Sequence, residues 1–301
     1  MKETKARTRA RTRKQLTLTL RLAVAALVVL LVAFLSPYVN PSQPPVEGAL
    51  EVVYLDVGQA NAALVSSEGR HMLIDGGNVA DSSLLVSVLT RRGIDRLDYV
   101  IFSHTDEDHV GGLAGALSHA DVGVCYGSAD ERNTKAFKSF KEYLARQGVS
   151  ITVPSGTVEF AFGSATVTIW HIQDDPADPN DNELVVRIVN GGDSFLFTGD
   201  IDTGLERMFL DEAGSNAQSD VLLVPHHGSD TSSGYVFLRE VYPRYSVISV
   251  GENTYGHPTD NVLSKYRDLG TTLLRTDTHG DITFISDKDG LRFTTQKTPY
   301  P

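Results

Sequence analysis

Cysteine is nearly absent from this 301-residue chain, with Cys125 the single example. One thiol cannot pair within the chain, which excludes a disulfide scaffold. The 26 glycines show no three-residue period, which excludes a collagen-like assembly. No repeat with a period of about 20–50 residues is visible. Basic charge is scarce beyond the N-terminus. Of 27 Lys and Arg, eight lie in residues 1–21, beside one of the 38 acidic residues; the remainder holds 19 basic against 37 acidic side chains. Such an acidic body repels polyanions at long range, so a nucleic-acid substrate would need a local offset. What is present is apolar matter. At 41 % hydrophobic, the chain can fill a core and is not disordered. Its length allows one large domain or two ordinary ones.

Residues 1–21 read as a basic cytoplasmic tail. Residues 22–35, LAVAALVVLLVAFL, are apolar without a break. Positive charge precedes this run and none follows closely, so the N-terminus stays cytoplasmic and the body is exported. No small-x-small cleavage site stands out in SPYVNPSQPP. A membrane anchor over residues 22–39 is therefore expected ahead of a cleaved signal, which would leave a secreted body. Residues 36–48 hold four prolines, and 40–48 read as an extended linker. The body is residues 49–301.

Within the body, 49–57, 61–67 and 71–77 are short apolar runs ended by Gly or polar turns, as strands are. Residues 84–93 have helical spacing with a Gly stop, and LDYVIFSH (97–104) reads as a buried strand. Helices are expected over 110–118, 133–147 and near 260–269, with Phe137, Phe140 and Leu144 on one face of the second. Residues 157–172 form a hairpin, and Asn-Gly-Gly-Asp turns between strands within 183–200. VLLVPHHG, SVISVG, TTLLRTD and DITFIS supply further strands. Two sheets covered by helices accommodate this order. Cys125, in VGVCYG, reads as a packed and inert thiol.

Chemistry concentrates at strand ends. His104-Thr105-Asp106-Glu107-Asp108-His109 follows an apolar strand and precedes Gly111-Gly112. Four potential ligands in six residues are costly unless a cation neutralises the carboxylates. His104, Asp106 and Asp108 share a face only while the loop stays extended, and His109 must come round as the chain turns into a helix. The competing structural role is a helix cap by Asp108. Thr198-Gly199-Asp200 ends another strand, where Asp200 either bridges metals or caps a helix. Pro225-His226-His227-Gly228-Ser229 carries two adjacent histidines whose side chains diverge in a strand, so one binds metal and the other supports it. His257, in Tyr255-Gly256-His257-Pro258, is either a substrate or proton-transfer group or a loop histidine fixed before a helix.

These residues carry a resemblance to the metallo-β-lactamase superfamily. Within it, the chain resembles the extracellular hydrolase domain of ComEC-type DNA-uptake (competence) proteins. The matching pieces are Leu55-Asp56-Val57-Gly58-Gln59, Leu73-Ile74-Asp75-Gly76-Gly77, the 104–112 run, Thr198-Gly199-Asp200, Val224–Ser229 and Tyr255–Pro258, which together span nearly the whole body. The resemblance implies an α/β fold, an αββα metallo-β-lactamase-like sandwich of two mixed sheets, here preceded by one N-terminal hydrophobic helix. It makes 49–301 a hydrolase domain holding one or two divalent metal ions, zinc or manganese. His104, Asp106 and Asp200 would face one metal, and Asp108, His109, Asp200 and His227 the other. Asp75 would support the ligand loop. Asp108 would orient the attacking hydroxide, with His226 or His257 as proton donor. The implied substrate is a phosphodiester, with single-stranded DNA the leading candidate, and the membrane is met through the N-terminal helix.

The sequence departs from the superfamily at three places. Asp106 stands where His is commoner, as in the ComEC type, which makes that half oxygen-rich and favours manganese. The histidine expected before 183 is missing from Asp178-Pro179-Asn180-Asp181-Asn182-Glu183, so Asp181 or Asn182 is a candidate replacement. Ala60-Asn61 replaces Gly-Asp after Val-Gly-Gln and removes a carboxylate. The last two changes favour an alternative, a catalytically inactive binding protein. A phosphodiesterase acting on a cell-wall or small-molecule ester is another, and a β-lactam or thioester hydrolase is the least expected. Arg132, Lys135, Lys138, Lys141 and Arg146 mark a basic helix face, which reads first as solvated and second as a phosphate track.

Overall fold

The run LEVVY forms β1 (Leu50–Tyr54) inside a sheet covered on both faces. Leu50, Val52 and Tyr54 enter one apolar layer and Val53 another, which is why Val52, Val53 and Tyr54 are apolar in succession, while Glu51 pairs with Arg92. The computed structural model describes residues 47–128, 132–174 and 182–298, all within one compact unit spanning 44–301. The basic tail, the anchor segment 22–39 and most of the linker lie outside the described residues. Among the described residues, no helix is long and apolar enough to cross a membrane.

The first sheet has eight strands. From one edge they are β15 (Gly290–Thr295), β14 (Ile282–Asp287), β1, β2 (Ala63–Ser67), β3 (Arg70–Ile74), β4 (Arg96–Ile101), β5 (Asp121–Tyr126) and β6 (Ile151–Thr152). Pairing is antiparallel from β15 to β3 and parallel from β3 to β6. The second sheet has seven: β13 (Thr272–Arg275), β12 (Tyr245–Ile248), β11 (Val221–Leu223), β10 (Asp193–Phe197), β9 (Asn182–Asn190), β8 (Ala165–Gln173) and β7 (Val158–Phe162). It too is mixed, parallel from β13 to β10 and antiparallel from β10 to β7.

Three apolar layers define the sandwich. Val52, Val65, Ile74, Ile169, Val186, Phe195 and Phe284 fill the space between the sheets. Helices α1 (Ser82–Arg92), α3 (Leu113–His119) and α4 (Lys135–Arg146) cover the outer face of the first sheet. Helices α5 (Thr203–Ala213), α6 (Tyr235–Val241) and α7 (Asp260–Leu269) cover that of the second. Local signals set the boundaries. The Thr134 side chain accepts from Phe137 N at the start of α4, and Phe137, Phe140 and Leu144 are its buried stripe. The left-handed Gly93 ends α1, its N–H returning to Leu89 O. Asp193 pairs opposite Asn190 around the expected Gly-Gly turn.

Four details differ from the sequence reading. The helix expected over 110–118 is two pieces, α2 (Glu107–Val110) and α3, because the chain bends at Gly111-Gly112. Strand β15 closes the first sheet through a tight turn at Lys288-Asp289, and the short β6 and α8 (Thr276–His279) complete the chain. Cys125 is buried as expected, and burial pushes its thiol pKa up.

Candidate metal centre

The carboxyl ends of β1, β3 and β4 in one sheet, and of β10, β11 and β12 in the other, lead into the loops that carry the motifs named above. Asp75 follows β3 with a left-handed backbone, φ 56°. Its Oδ1 accepts from Ser103 N at 2.8 Å, and its Oδ2 lies 3.0 Å from His109 Nδ1. Ser103 Oγ is also within 3.1 Å of Nδ1 of both His104 and His109. Asp75 therefore supports the ligand loop, the position the resemblance implies for it.

After β4 the loop does not stay extended. Asp106 is the extended N-cap of α2, and the next four residues are helical. This one turn, rather than a strand face, sends Asp108 and His109 to the same place. The Gly pair permits it, since a Cβ at Gly112 would collide with the carbonyl oxygen of Gly76. Asp108, not Asp106, lies with His109, Asp200 and His227, and one ligand atom from each falls within 4.8 Å of the others. His109 Nε2 is 3.4 Å from Asp200 Oδ1, and His227 Nε2 is 3.3 Å from Asp108 Oδ2 and 3.7 Å from Asp200 Oδ1.

The imidazoles share one arrangement. His109 Nδ1 faces Asp75, His227 Nδ1 donates to Ser249 O at 2.8 Å, and His104 Nδ1 lies 3.1 Å from Glu183 Oε1. Each ring is fixed at Nδ1 and turns Nε2 inward, as metal-bound histidines are held by a partner behind them. His109 Nε2, His227 Nε2 and Asp200 Oδ1 are buried without a hydrogen-bond partner among the described residues. Such orphaned polar atoms are costly, and a divalent cation satisfies all three. Two carboxylates and two imidazoles fit zinc or manganese, and the donor set does not choose between them.

Charge within the cluster is balanced internally. Burial is the largest influence on His109 and works to lower its pKa, but Asp200, Asp75 and Asp108 together raise it well above the ordinary value. Burial likewise opposes ionisation of Asp200, yet His109, His227 and His104 hold its carboxyl well below the usual range. Asp108 is brought down to about 2 by His109 and His227 against the same penalty. His227 is raised, Asp200 and Asp108 outweighing burial.

The other expected half differs. Asp106 Oδ2 is 3.8 Å from His104 Nε2, while Oδ1 pairs with Arg132 at 2.7 Å. Asn182, a candidate to replace the missing histidine, places its Oδ1 2.6 Å from His171 Nε2 instead, and Asp181 lies outside the described residues. Asn61 ties the 58–62 loop to α2 by donating its N–H to Asp108 O, and to the loop after β3 by accepting from Gly77 N–H at its carbonyl. The sequence reading missed Glu183, although an acid opening an otherwise apolar strand was a signal. It missed Ser103 and the carbonyl of Ser249, which no local pattern marks.

His226 and His227 both have left-handed backbones, φ 52° and 53°, a strain of about 1–3 kcal/mol each. This turn separates the neighbours. His227 is buried in the cluster, whereas His226 is half-exposed with Nε2 3.6 Å from Asp200 Oδ2 and Nδ1 3.2 Å from Thr231 Oγ1. The His257 ring stands edge-on to His226 at 5.7 Å. Burial first, then His226 and His227, lower the His257 pKa. On α4, Lys141 lies over the Phe137 ring, and Lys135 and Lys138 are exposed, as a solvated face requires.

A four-layer sandwich of two mixed sheets with a cluster of His and Asp side chains at one edge defines a metallo-β-lactamase fold. The superfamily's sequence model matches residues 55–252, and the chain belongs to the metallo-β-lactamase superfamily. It is similar to Competence protein ComA of Neisseria gonorrhoeae, 36 % identical over 248 residues that cover 82 % of this chain and 34 % of that protein. It is also similar to ComE operon protein 3 of Bacillus subtilis (strain 168), 31 % identical over 258 residues that cover 78 % of this chain and 33 % of that protein. The chain thus spans about a third of the length of these relatives. Among solved structures it is similar to the metallo-β-lactamase fold protein YhfI from Bacillus subtilis, with a TM-score of 0.55, 14 % identity, and coverage of 79 % of this chain and 99 % of that one. At that identity the likeness is one of fold.

Proposed function

We propose that this protein is a metal-dependent phosphodiesterase that cuts single-stranded DNA outside the cytoplasm, held at the membrane by residues 22–39. The observation that carries the reading is the set of inward, unpartnered donors on Asp200, His109 and His227, beside Asp108, at one edge of this fold. The competence relatives' names point to DNA, and the basic tail before an apolar run supports export.

In this reading Asp108, His109, Asp200 and His227 hold the cation, and His104 and Asp106 are candidates for a second. A bound divalent cation supplies Lewis-acid activation of water and neutralises charge on the phosphoryl oxygens. Asp75 and Ser249 O keep the His109 and His227 rings aimed inward. Asp108 and Asp200 remain ionised and orient the attacking water. His226 is the proton donor to the leaving oxygen. A Thr231 hydroxyl donating to Nδ1 would leave the proton on Nε2, the atom that faces Asp200. His257 packs behind it and fixes the ring.

The test is cleavage of end-labelled single-stranded DNA by the full-length chain with manganese, with chelator, and with Asp108→Ala. Metal-dependent cutting lost in the variant is the expected result. Metal binding without cutting would point to a different phosphodiester. Neither binding nor cutting would make the chain a catalytically inactive relative.

A further inference from the structure

A single exposed tyrosine is ordinary on a protein surface. Tyr255 differs in exposure, rigidity and place. At 75 % it is the most exposed of the large apolar side chains among the described residues. Its loop is nevertheless fixed, because Asn253 Oδ1 accepts from the N–H groups of Tyr255, Gly256 and His257 at 2.9–3.1 Å. The Asn253 amide also donates to the carbonyls of Gly251 and His257. One face of the Tyr255 ring stacks on His257, with centroids 5.7 Å apart and planes at 28°. His257 in turn meets His226 at 5.7 Å, and His226 Nε2 is 3.6 Å from Asp200 Oδ2. Three rings therefore step from the ligand cluster out to solvent. The outermost is planar, preorganised and open.

We infer that Tyr255 is a stacking platform for one unpaired nucleobase beside the phosphate held at the cluster. The inference rests on the phosphodiesterase reading above and names the residue that would hold a base of its single-stranded substrate. A nucleic acid strand is a phosphodiester that carries a planar aromatic ring beside each phosphate, which is what an open ring beside the cluster can stack on. A base in a duplex has both faces covered, so the platform selects a single strand. The acidic body gives little electrostatic affinity for a polyanion, and stacking supplies affinity that does not depend on net charge. The fixed loop has already lost the conformational freedom that binding would otherwise cost.

The experiment uses the full-length, manganese-loaded chain and a short labelled single strand, with KM and kcat measured separately. Tyr255→Ala raises KM about 5- to 100-fold with much less change in kcat, and Tyr255→Trp and Tyr255→Phe restore it. An abasic nucleotide is then moved along the strand. At one position it reproduces the KM loss in the unmodified protein and adds nothing in Tyr255→Ala. Unchanged metal content and circular dichroism show that the variant is folded. The platform is overturned if Tyr255→Ala handles the intact strand like the unmodified protein, or loses as much wherever the abasic site lies. If the unmodified protein neither binds nor cuts any strand with manganese bound, the nuclease reading fails and the platform falls with it.

Discussion

Glu183 Oε1 lies 3.1 Å from Nδ1 of His104, and both side chains are buried. The pair repeats the relation of Asp75 to His109, where a carboxylate oxygen stands 3.0 Å behind the ring. Gly199 makes room for it, since a side chain there would meet Glu183 Oε2 and Ser103, and its φ of 55° suits glycine. Glu183 thus occupies the start of β9, near where the superfamily's histidine is missing. It reaches the loop of the first sheet from the second.

Removing a carboxylate that orients a metal-binding imidazole weakens metal affinity about 10- to 100-fold. Glu183→Gln and Glu183→Ala are expected to do this for any ion held through His104, read by chelator competition and bound-metal stoichiometry. If affinity and stoichiometry stay unchanged in both, His104 holds no metal.

Metal affinity should depend steeply on pH. The pKa values of His109 and His227 stand above the ordinary histidine value of 6.5 in the metal-free cluster. A cation must displace those protons, so affinity falls as pH drops, by up to about tenfold per pH unit for each proton displaced. Titration with a chelating dye across a pH series measures the slope. A flat profile would place the ion on other residues.

Glu206 on α5 accepts from the N–H groups of Ser233 and Gly234, yet burial raises its pKa from 4.5 to about 7. The folded protein then holds a proton that the unfolded chain releases. The stabilising contribution is complete below pH 4.5 and is lost as pH rises through about 7. Glu206→Gln should remove a fall of about 3 kcal/mol across that window. Denaturant unfolding at stepped pH compares the two slopes, and parallel curves would refute it.

Gly112→Ala should destabilise the fold by about 1–3 kcal/mol through overpacking. The added Cβ meets the carbonyl oxygens of Gly76 and Asn78, and backbone cannot move aside as a flexible side chain does. Urea midpoints test this, and a midpoint equal to the unmodified protein would mean that the corner between α2 and α3 is slack.

Much of the fold was legible because its signals are local. Continuous apolar runs marked strands buried on both faces, and Gly93 and the stripe Phe137, Phe140, Leu144 marked helices. Strand β15 was missed although Asp289-Gly290 and the alternation of Leu291 and Phe293 announce a hairpin, because its outer positions are polar. At the site, i and i+2 periodicity could not say where Asp108 points, because it holds only in a strand and the chain after Asp106 is helical. A single helical turn after Asp106 sends Asp108 and His109 to the same place.

The sequence by itself determined which residues have the chemistry to bind a cation, since His and Asp clustered at the ends of apolar strands have few other uses. It also determined that 41 % apolar content closes into a core. Only the tertiary structure decided which ligands meet. Asp108 and His109 come from the first sheet, Asp200 and His227 from the second, more than 90 positions later in the chain. The groups behind the rings, Asp75, Glu183 and the carbonyl of Ser249, were likewise chosen by the packing of one sheet on the other. Side-chain direction at a strand end depends on the turn that follows and on what faces it across the sandwich, and neither is written in local spacing.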